Sequence, residues 1–402
     1  MKSIRDIFKI GKGPSSSHTM GPARAAEIFK SETPDADLYE VRLFGSLSKT
    51  GVGHGTDRVL REVLAPVTTK IIFRDDIPAD LRHPNTLEFT AWKGKEQLES
   101  IRVQSVGGGD ILIEGRPSLE SENIYPENSF AEIADFCRWR NCSLSEYVEM
   151  NEGVEIWDFL REVWRTMCKA IDDGLQAEGI LPGPLRLERK AKLLHSQVEE
   201  NEIPQVRELR LICSYAFAVS EQNADNGTVV TAPTCGSCGV LPAALRYMQE
   251  RYDFPEEKMI EALAVAGIIG NVIKRNASIS GAECGCQAEI GSACAMTAAA
   301  LSHLMGMSIA QIEYAAENAL EHHLGLTCDP ICGLVQIPCI ERNAVAAKRA
   351  MTAFNLAHFL TGSRNISFDM VVRTMYETGR HLNREYRETS EGGLAKFYSR
   401  RR

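Results

Sequence analysis

The sequence predicts an α+β fold of two domains, a small N-terminal α/β domain followed by a larger, mostly α-helical domain. Its 402 residues are many for a single hydrophobic core. Short β-branched and aromatic runs alternate with helical patterns in the first part of the chain, whereas helical periodicity dominates the second. A polar stretch at 118–129 separates the two parts and is typical of a linker. The expected domains are an α/β domain at 1–125, a linker and helical connection at 126–155, and an all-α domain at 156–402.

The first domain is expected to alternate helices and strands. A helix starts at Gly21, where Pro22 is tolerated in the first turn and Thr19 is expected to be the cap. Another helix follows at 57–64, and the glycines at 107–109 indicate a hairpin or bulge between two strands. The predicted strands are 39–47, 70–73, 87–92, 101–106 and 110–114.

The second domain is expected to be a set of closely packed helices. Many of its helical segments carry Ala, Gly and Ser on their apolar faces, and small residues allow helix axes to approach each other. The predicted helices are 156–171, 187–196, 206–219, 240–252, 256–269, 292–304, 309–320, 341–360 and 368–383.

Composition and charge narrow the functional classes. The formal net charge is −9, and the basic cluster at 399–402 is interpreted as a solvated end, so binding to nucleic acid is not expected. Residues 1–10 lack the apolar core of a secretory signal, and the most apolar stretch, 262–273, is too short to span a bilayer. Twelve cysteines without such a signal are expected to be thiols or metal ligands in a reducing, cytoplasmic compartment.

Three cysteines lie in segments rich in glycine and proline. Cys328 and Cys339 are separated by eleven positions, and the prolines and glycine between them indicate a loop. Cys286 lies in another glycine-rich segment, shortly before the helix predicted at 292–304. Three thiolates can hold a [4Fe–4S] cluster and leave one iron open as a Lewis acid, which suggests a reaction on a bound substrate.

Two other interpretations of the cysteines stay open at this point. They can be buried core residues, as is common in cytosolic proteins. Alternatively, two close pairs can form a Cys₄ zinc site, namely Cys235 with Cys238 and Cys284 with Cys286. The single residue between the members of the second pair is tight for a zinc knuckle, which favours the iron–sulfur interpretation.

A cradle for an anion is predicted at the start of the first helix. The hydroxyls, the imidazole and the free N–H groups there suit a carboxylate or a phosphate, although an elaborate helix cap would have the same composition. The candidate substrate-binding residues of this segment are Ser15, Ser16, Ser17, His18 and Thr19.

His54 lies between Gly53 and Gly55 at the start of the second helix. Flanking glycines let the backbone approach a ligand, and a histidine titrates near neutral pH. His54 is therefore the candidate general base, the alternative being a histidine in a surface loop.

Three further polar residues are candidates for holding a substrate. Lys274 and Asn276 belong to a polar segment shortly before Cys286, where a cation suits a substrate carboxylate or the negative charge of a cluster. The same segment is also compatible with the charged end of a helix. Thr234 is the third candidate, because it lies among small residues at a helix start, where anion binding and packing are both plausible.

Taken together, these segments resemble the iron–sulfur-dependent L-serine dehydratases, also called L-serine ammonia-lyases, over essentially the whole chain. Each motif alone is weak, but they occur in the family's order. The motifs are GPSSSHT at 13–19, GSL at 45–47, TGVGHGTD at 50–57, LPGPL at 181–185, TAPT at 231–234, the Cys286 segment, CDP at 328–330 through RN at 342–343, and TSEGGLA at 389–395.

The resemblance implies a specific site and reaction. The three cysteines that hold a [4Fe–4S] cluster in the family match Cys286, Cys328 and Cys339, and the family's proposed base matches His54. The N-terminal part resembles the family's β domain and the helical part its α domain, fused here in one chain. The implied reaction converts L-serine to pyruvate and ammonia without pyridoxal phosphate, in amino-acid catabolism or gluconeogenesis. A homodimer is expected, with the site between the two domains.

One feature departs from the family's pattern. Some members end in a cysteine that ligates the open iron, whereas the tail of this sequence has none, so solvent or a small anion is expected at that position. Cys284, Cys294 and Cys332 lie beside the matched ligands but off the pattern. Two other functions stay open: an iron or redox sensor without enzymatic activity, and the same chemistry on L-threonine or L-cysteine.

Overall fold

A computed structural model of the chain describes residues 1–74, 83–117, 122–360, 362 and 364–399. Two sequence predictions fall partly outside these residues. They are the first positions of the predicted linker, 118–121, and the arginines of the basic tail, 400–402.

The strands form one five-stranded sheet and one two-stranded ribbon. In the larger sheet the order is β3-β2-β4-β5-β6, with β2 and β3 parallel and the other neighbours antiparallel. The ribbon pairs β1 with β7 antiparallel. The strands are β1 Ile10–Lys12, β2 Leu38–Leu43, β3 Thr68–Phe73, β4 Thr86–Lys93, β5 Glu96–Gly107, β6 Asp110–Ile113 and β7 Thr228–Val230.

Helices account for most of the remaining chain, in agreement with the predicted fold class. Their bounds are α1 Gly21–Glu32, α2 Gly45–Thr50, α3 Thr56–Leu64, α4 Phe130–Arg140, α5 Leu144–Glu152, α6 Ile156–Gln176, α7 Ala191–Ser196, α8 Pro204–Ala224, α9 Val240–Tyr252, α10 Glu256–Asn276, α11 Gly281–Cys284, α12 Ser292–Leu304, α13 Ile309–Glu321, α14 Cys339–Leu360, α15 Phe368–His381 and α16 Gly393–Ser399. Two π-helical turns, Ser16–Met20 and Gln287–Gly291, run directly into α1 and α12.

The small domain is a sheet covered on one face by helices. Along β2 every second residue is buried, as expected for a strand with one face on the core. Side chains of α1 and α3 complete that core, with Phe29 stacked at 5.3 Å from Phe89 of the sheet. The three glycines at 107–109 all have positive φ and form the turn between β5 and β6, which confirms the predicted hairpin.

The large domain is built around two largely buried helices, α10 and α12. Helix α12 is buried along nearly its whole length and packs against α9, α10, α13 and α14. The many alanines of α12 make this close helix packing possible, because small side chains allow helix axes to approach each other. No helix in the described part of the chain is long and apolar enough to cross a membrane.

The first residues of the chain belong to the core of the large domain. Met1, Ile4, Ile7 and Phe8 are buried there, and β1 continues by pairing with β7. The chain therefore enters the small domain only after Lys12. The expected domain boundaries stay predictions, and this segment is the part of 1–125 that packs with the helices.

Two local predictions were wrong. The strand predicted at 39–47 ends at Leu43, because Gly45 adopts a left-handed φ of 56° and the chain turns into α2. Thr19 was expected to cap α1, but the preceding π-helical turn moves the cap upstream. The hydroxyl of Ser15 accepts the N–H of His18 at 3.1 Å instead.

Candidate active site

The segment at 15–19 forms a buried π-helical turn against the small domain. His18 is fully buried, and its Nε2 lies 3.0 Å from the hydroxyl of Ser46 in α2. Its Nδ1 lies 3.2 Å from the hydroxyl of Ser17. Burial lowers the pKa of His18 well below its usual value, so the ring is neutral near pH 7. The turn therefore gathers buried hydroxyls and a neutral imidazole, and its contact with a substrate stays a prediction.

His54 is fully buried in the turn between α2 and α3. Its carbonyl accepts the hydroxyl of Thr19 at 2.9 Å, and its ring centroid lies 4.4 Å from that of His18. Neither ring nitrogen has a hydrogen-bond partner in the described part of the chain. Burial lowers the pKa of His54 to about 4, so the imidazole is held neutral with an unused acceptor.

The thiols of Cys286 and Cys328 come together on the large domain. Their sulfurs and a carboxylate oxygen of Glu289 all lie within 4.8 Å of one another. Cys286 stands at the N-terminus of the π-helical turn before α12. The chain around Cys328 is held by the C-terminal segment, because its N–H donates to the carbonyl of Tyr386 at 2.8 Å.

Cys339 lies at the start of α14, one turn before Arg342. Its sulfur is not part of the group of ligand atoms within 4.8 Å of one another, which consists of Cys286, Glu289 and Cys328. The guanidinium of Arg342 nevertheless connects the three cysteines. Although burial opposes it, the neighbouring thiols of Cys286, Cys339 and Cys328 raise the pKa of Arg342. The role of Cys339 as a cluster ligand stays a prediction.

The electrostatics of this group favour a thiolate at Cys286. A hydrogen bond with the Cys328 thiol lowers the pKa of Cys286 against the effect of burial, and Arg342 acts in the same direction. Thiolates are the protonation state that binds iron.

Two carboxylates of the site were missed in the sequence. Glu289 accepts the hydroxyl of Thr234 at 2.7 Å, which brings that predicted residue beside the thiols. The spacing of three residues after Cys286 was a usable signal, because residues i and i+3 share a helix face. Glu388 is buried, with its N–H donating to the carbonyl of Cys328 at 2.9 Å. No local pattern marks Glu388, since the chain reaches the site from a distant segment.

The segments that carry the histidines approach the segments that carry Cys328 and Cys339. A carboxylate oxygen of Glu388 lies 4.0 Å from Nδ1 of His18. A Cβ added at Gly53, the residue before His54, would lie only 3.0 Å from the carbonyl of Gly333 in the loop between Cys328 and Cys339. Such a close backbone approach requires glycine.

Lys274 and Asn276 have other partners. The ammonium of Lys274 lies 2.7 Å from a carboxylate oxygen of Asp110 in β6, and the Asn276 amide donates to the carbonyl of Asn128 at 2.7 Å. Lys274 therefore joins the two domains, whereas Asn276 holds the segment before α4. Their predicted contact with a substrate stays a prediction that the geometry does not favour.

The other cysteines stand apart from this group. Cys284 packs against Gly379 of α15, where an added Cβ would lie 2.6 Å from its sulfur, and Cys332 is exposed. Cys235 is buried, with its sulfur 3.7 Å from that of Met20. Within the described ranges, no group of three metal-ligating side chains combines Cys235 or Cys238 with Cys284, so the geometry does not favour the zinc interpretation.

The group of Cys286, Glu289 and Cys328 is consistent with a metal cofactor. A Cβ at Gly281 would lie 3.2 Å from Sγ of Cys328 and 2.7 Å from Oε2 of Glu289, so the absence of a side chain keeps this cradle open. Sulfur donors suit iron, and Arg342 supplies a positive charge beside them.

Comparisons with known proteins show the family of the chain. The family model described as "Serine dehydratase beta chain" matches residues 3–65, and the one described as "Serine dehydratase alpha chain" matches residues 93–395. L-serine dehydratase TdcG of Escherichia coli (strain K12) is 42% identical over 448 aligned residues, covering 98% of this chain and 99% of that protein. The L-serine dehydratase of Haemophilus influenzae is 39% identical, over 98% of this chain and 99% of that protein. The L-serine dehydratase of Helicobacter pylori is 37% identical, over 98% of this chain and 98% of that protein. The chain therefore belongs to the serine dehydratase family, with the β-chain and α-chain regions fused in one polypeptide.

Proposed function

We propose that the protein converts L-serine to pyruvate and ammonia at the boundary of its two domains. Cys286, Cys328 and Cys339 would hold a [4Fe–4S] cluster. When bound through three protein ligands, such a cluster supplies an open iron that acts as a Lewis acid on the hydroxyl and carboxylate of the substrate. The names of the relatives, all L-serine dehydratases, support the choice of substrate.

The observation that carries this proposal is the meeting of His54 with the cysteine loop. A buried imidazole with no partner for either nitrogen is costly unless a ligand uses it. The close approach of Gly53, the residue before His54, to Gly333 supports this role, because Gly333 lies in the loop between two of the predicted ligands. A sensor of iron or redox state has no use for such a base.

In the proposed reaction His54 accepts the Cα proton of L-serine at its free ring nitrogen. The Cα–H and Cβ–O bonds break, a C=C bond forms, and the hydroxyl leaves with a proton as water. The resulting aminoacrylate tautomerises to an imine, which water hydrolyses to pyruvate and ammonia. Correctly placed general-base catalysis is typically worth ~10²–10⁴ in rate.

The remaining residues of the site hold the substrate for this step. The hydroxyls of Ser15, Ser16 and Ser17 and the His18 ring form a neutral, buried surface that suits a carboxylate. Thr234 positions Glu289 beside the thiols through its 2.7 Å hydrogen bond. Burial of these groups excludes water and strengthens each polar contact.

The proposal extends to the setting of the enzyme. The twelve cysteines are free thiols in the structure, which supports a reducing, cytoplasmic compartment. The reaction would degrade an amino acid and could supply pyruvate for gluconeogenesis, and a homodimer is the expected assembly. Gel filtration coupled to light scattering tests the assembly.

The proposal is tested by anaerobic reconstitution with iron and sulfide, followed by a pyruvate assay with L-serine. The His54→Ala variant should keep the visible absorbance of the cluster and lose turnover, because only the base is removed. The Cys286→Ala variant should lose both. Cys332→Ala, which changes an exposed thiol of the same region, is the matched control and should keep both.

Two results would contradict the proposal. Near-normal turnover by His54→Ala would exclude His54 as the base. A cluster whose spectrum does not respond to L-serine, with no pyruvate formed, would favour the sensor or a different substrate such as L-threonine or L-cysteine.

A further inference from the structure

A cavity lined by several charged side chains lies between the domains, beside the candidate active site. It has a volume of about 480 Å³, which is in the range of small-molecule sites. The start of α2 lines it from the small domain, and α15 with the segment that follows lines it from the large domain. Nothing in the proposed reaction uses these surfaces.

Four cations line this cavity, which we call the arginine cavity. They are Lys49 of α2, Arg380 at the end of α15, and Arg384 and Arg387 in the following segment. Among the described lining residues the only carboxylate is that of Glu283. Like charges gathered from two domains repel each other, so the arrangement is relieved by a bound anion.

Arg387 lines the cavity and brings a planar guanidinium to it. Its Nε is buried and has no hydrogen-bond partner among the residues that the structure describes. Its Nη1 reaches only the carbonyl of Glu283, at a long 3.4 Å. The protein itself therefore satisfies this guanidinium only in part. The planar fork of arginine suits carboxylate and phosphate oxygens in particular.

We propose that the arginine cavity binds a small organic or inorganic anion carrying a carboxylate or a phosphate group. Lys49 contributes from the small domain, where it already pairs with Glu391 of the large domain. An anion bound between Lys49 and the arginines therefore strengthens the contact between the domains. This inference does not depend on the reaction proposed above, because it concerns binding alone.

The cavity is connected to the active site through one side chain. Ser46 lines the cavity, and its hydroxyl lies 3.0 Å from Nε2 of His18. Two sources of the anion fit this position: the carboxylate of a substrate or product passing to the active site, and a separate ligand that adjusts the position of His18. Both share the chemistry of recognition, and an experiment separates them.

The test is calorimetric titration of the reconstituted protein with inorganic phosphate and with pyruvate at low ionic strength. The double variant Arg380→Gln/Arg384→Gln should raise the Kd for these anions about tenfold or more, because charge-assisted hydrogen bonds are lost. Lys49→Gln, a change on the other domain, should also weaken binding. Arg373→Gln is the matched control, since Arg373 is exposed on the same helix as Arg380 but does not line the cavity.

The outcomes are distinguishable from those of the catalytic proposal. Equal Kd values for the wild-type protein and for both cavity variants, or no binding of either anion by the wild-type protein, would overturn the inference even if pyruvate formation is normal. If the double variant raises the KM for L-serine with kcat retained, the anion is the substrate's own carboxylate. If phosphate binds to the wild-type protein and the variants change its Kd but not the KM, the cavity holds a separate ligand.

Discussion

Replacing His54 by leucine is expected to make the folded protein less sensitive to acid. In the folded state burial lowers the pKa of His54 from 6.5 to about 4. Between these two values the unfolded chain binds a proton at this residue and the folded chain does not. The free energy of unfolding must therefore fall as the pH is lowered through this window, because protons favour the state that binds them. Leucine has a similar volume and binds no proton.

The magnitude follows from the pKa shift. For a group that titrates at 6.5 when unfolded and at about 4 when folded, the linkage relation gives a loss of about 2 kcal/mol between pH 7 and pH 5. His54 is fully buried, so solvent does not screen this effect. Burial also lowers the pKa values of His18 and His323, which act in the same direction and remain in the variant. The variant therefore removes only the contribution of His54 to the loss of stability at low pH.

The assay is urea unfolding at pH 7 and at pH 5, followed by circular dichroism, without added iron. The quantity compared is the difference in the free energy of unfolding between the two pH values, so a constant effect of leucine on stability cancels. His381→Leu controls for the loss of one imidazole, because His381 is exposed. An equal loss of stability in the wild-type protein and in His54→Leu would refute the reasoning, since it would mean that His54 is not held neutral by burial.

Two more predictions concern the site itself. Gly281→Ala should lower bound iron, measured per chain after reconstitution, because its Cβ would lie 3.2 Å from Sγ of Cys328; Gly362→Ala, where an added Cβ meets nothing within 4 Å, should bind iron normally. Equal iron in both variants would show that the cradle is elsewhere. Glu388→Gln should slow pyruvate formation about tenfold at unchanged iron content, because it removes a carboxyl group that lies 4.0 Å from His18 and whose pKa burial raises well above its usual value. An unchanged rate would mean that this carboxyl group does not position the ring.

Much of the fold was predictable because local patterns decide it. The bounds of α9 and α12 are those predicted from helical periodicity, and the hairpin at 107–109 follows from three glycines. The strand end at Leu43 was not predictable from periodicity, since the turn into α2 depends on the conformation of Gly45.

The candidate site was predictable to the extent that its residues lie in distinctive local contexts. His54 stands between glycines and the cysteines stand in glycine-rich or proline-rich segments, so their chemistry shows in the sequence. Glu388 reaches the site only through the pairing of its segment with that of Cys328. Lys274 was assigned to the substrate because its neighbours are polar, whereas its partner, Asp110, lies on a strand of the other domain. A contact between segments far apart in the chain is not visible in the local sequence of either segment.

The pairing of β1 with β7 has a consequence for how the chain is made. Ile10 leaves the ribosome long before Val230, its partner in the ribbon. At typical translation rates of ~5–20 residues per second, the intervening segment takes roughly 10–40 s to synthesise. During that time the apolar side chains of Ile4, Ile7 and Phe8 lack the part of their core that α10 supplies. We expect the nascent chain to expose this segment to chaperones until the last helices of its core have emerged.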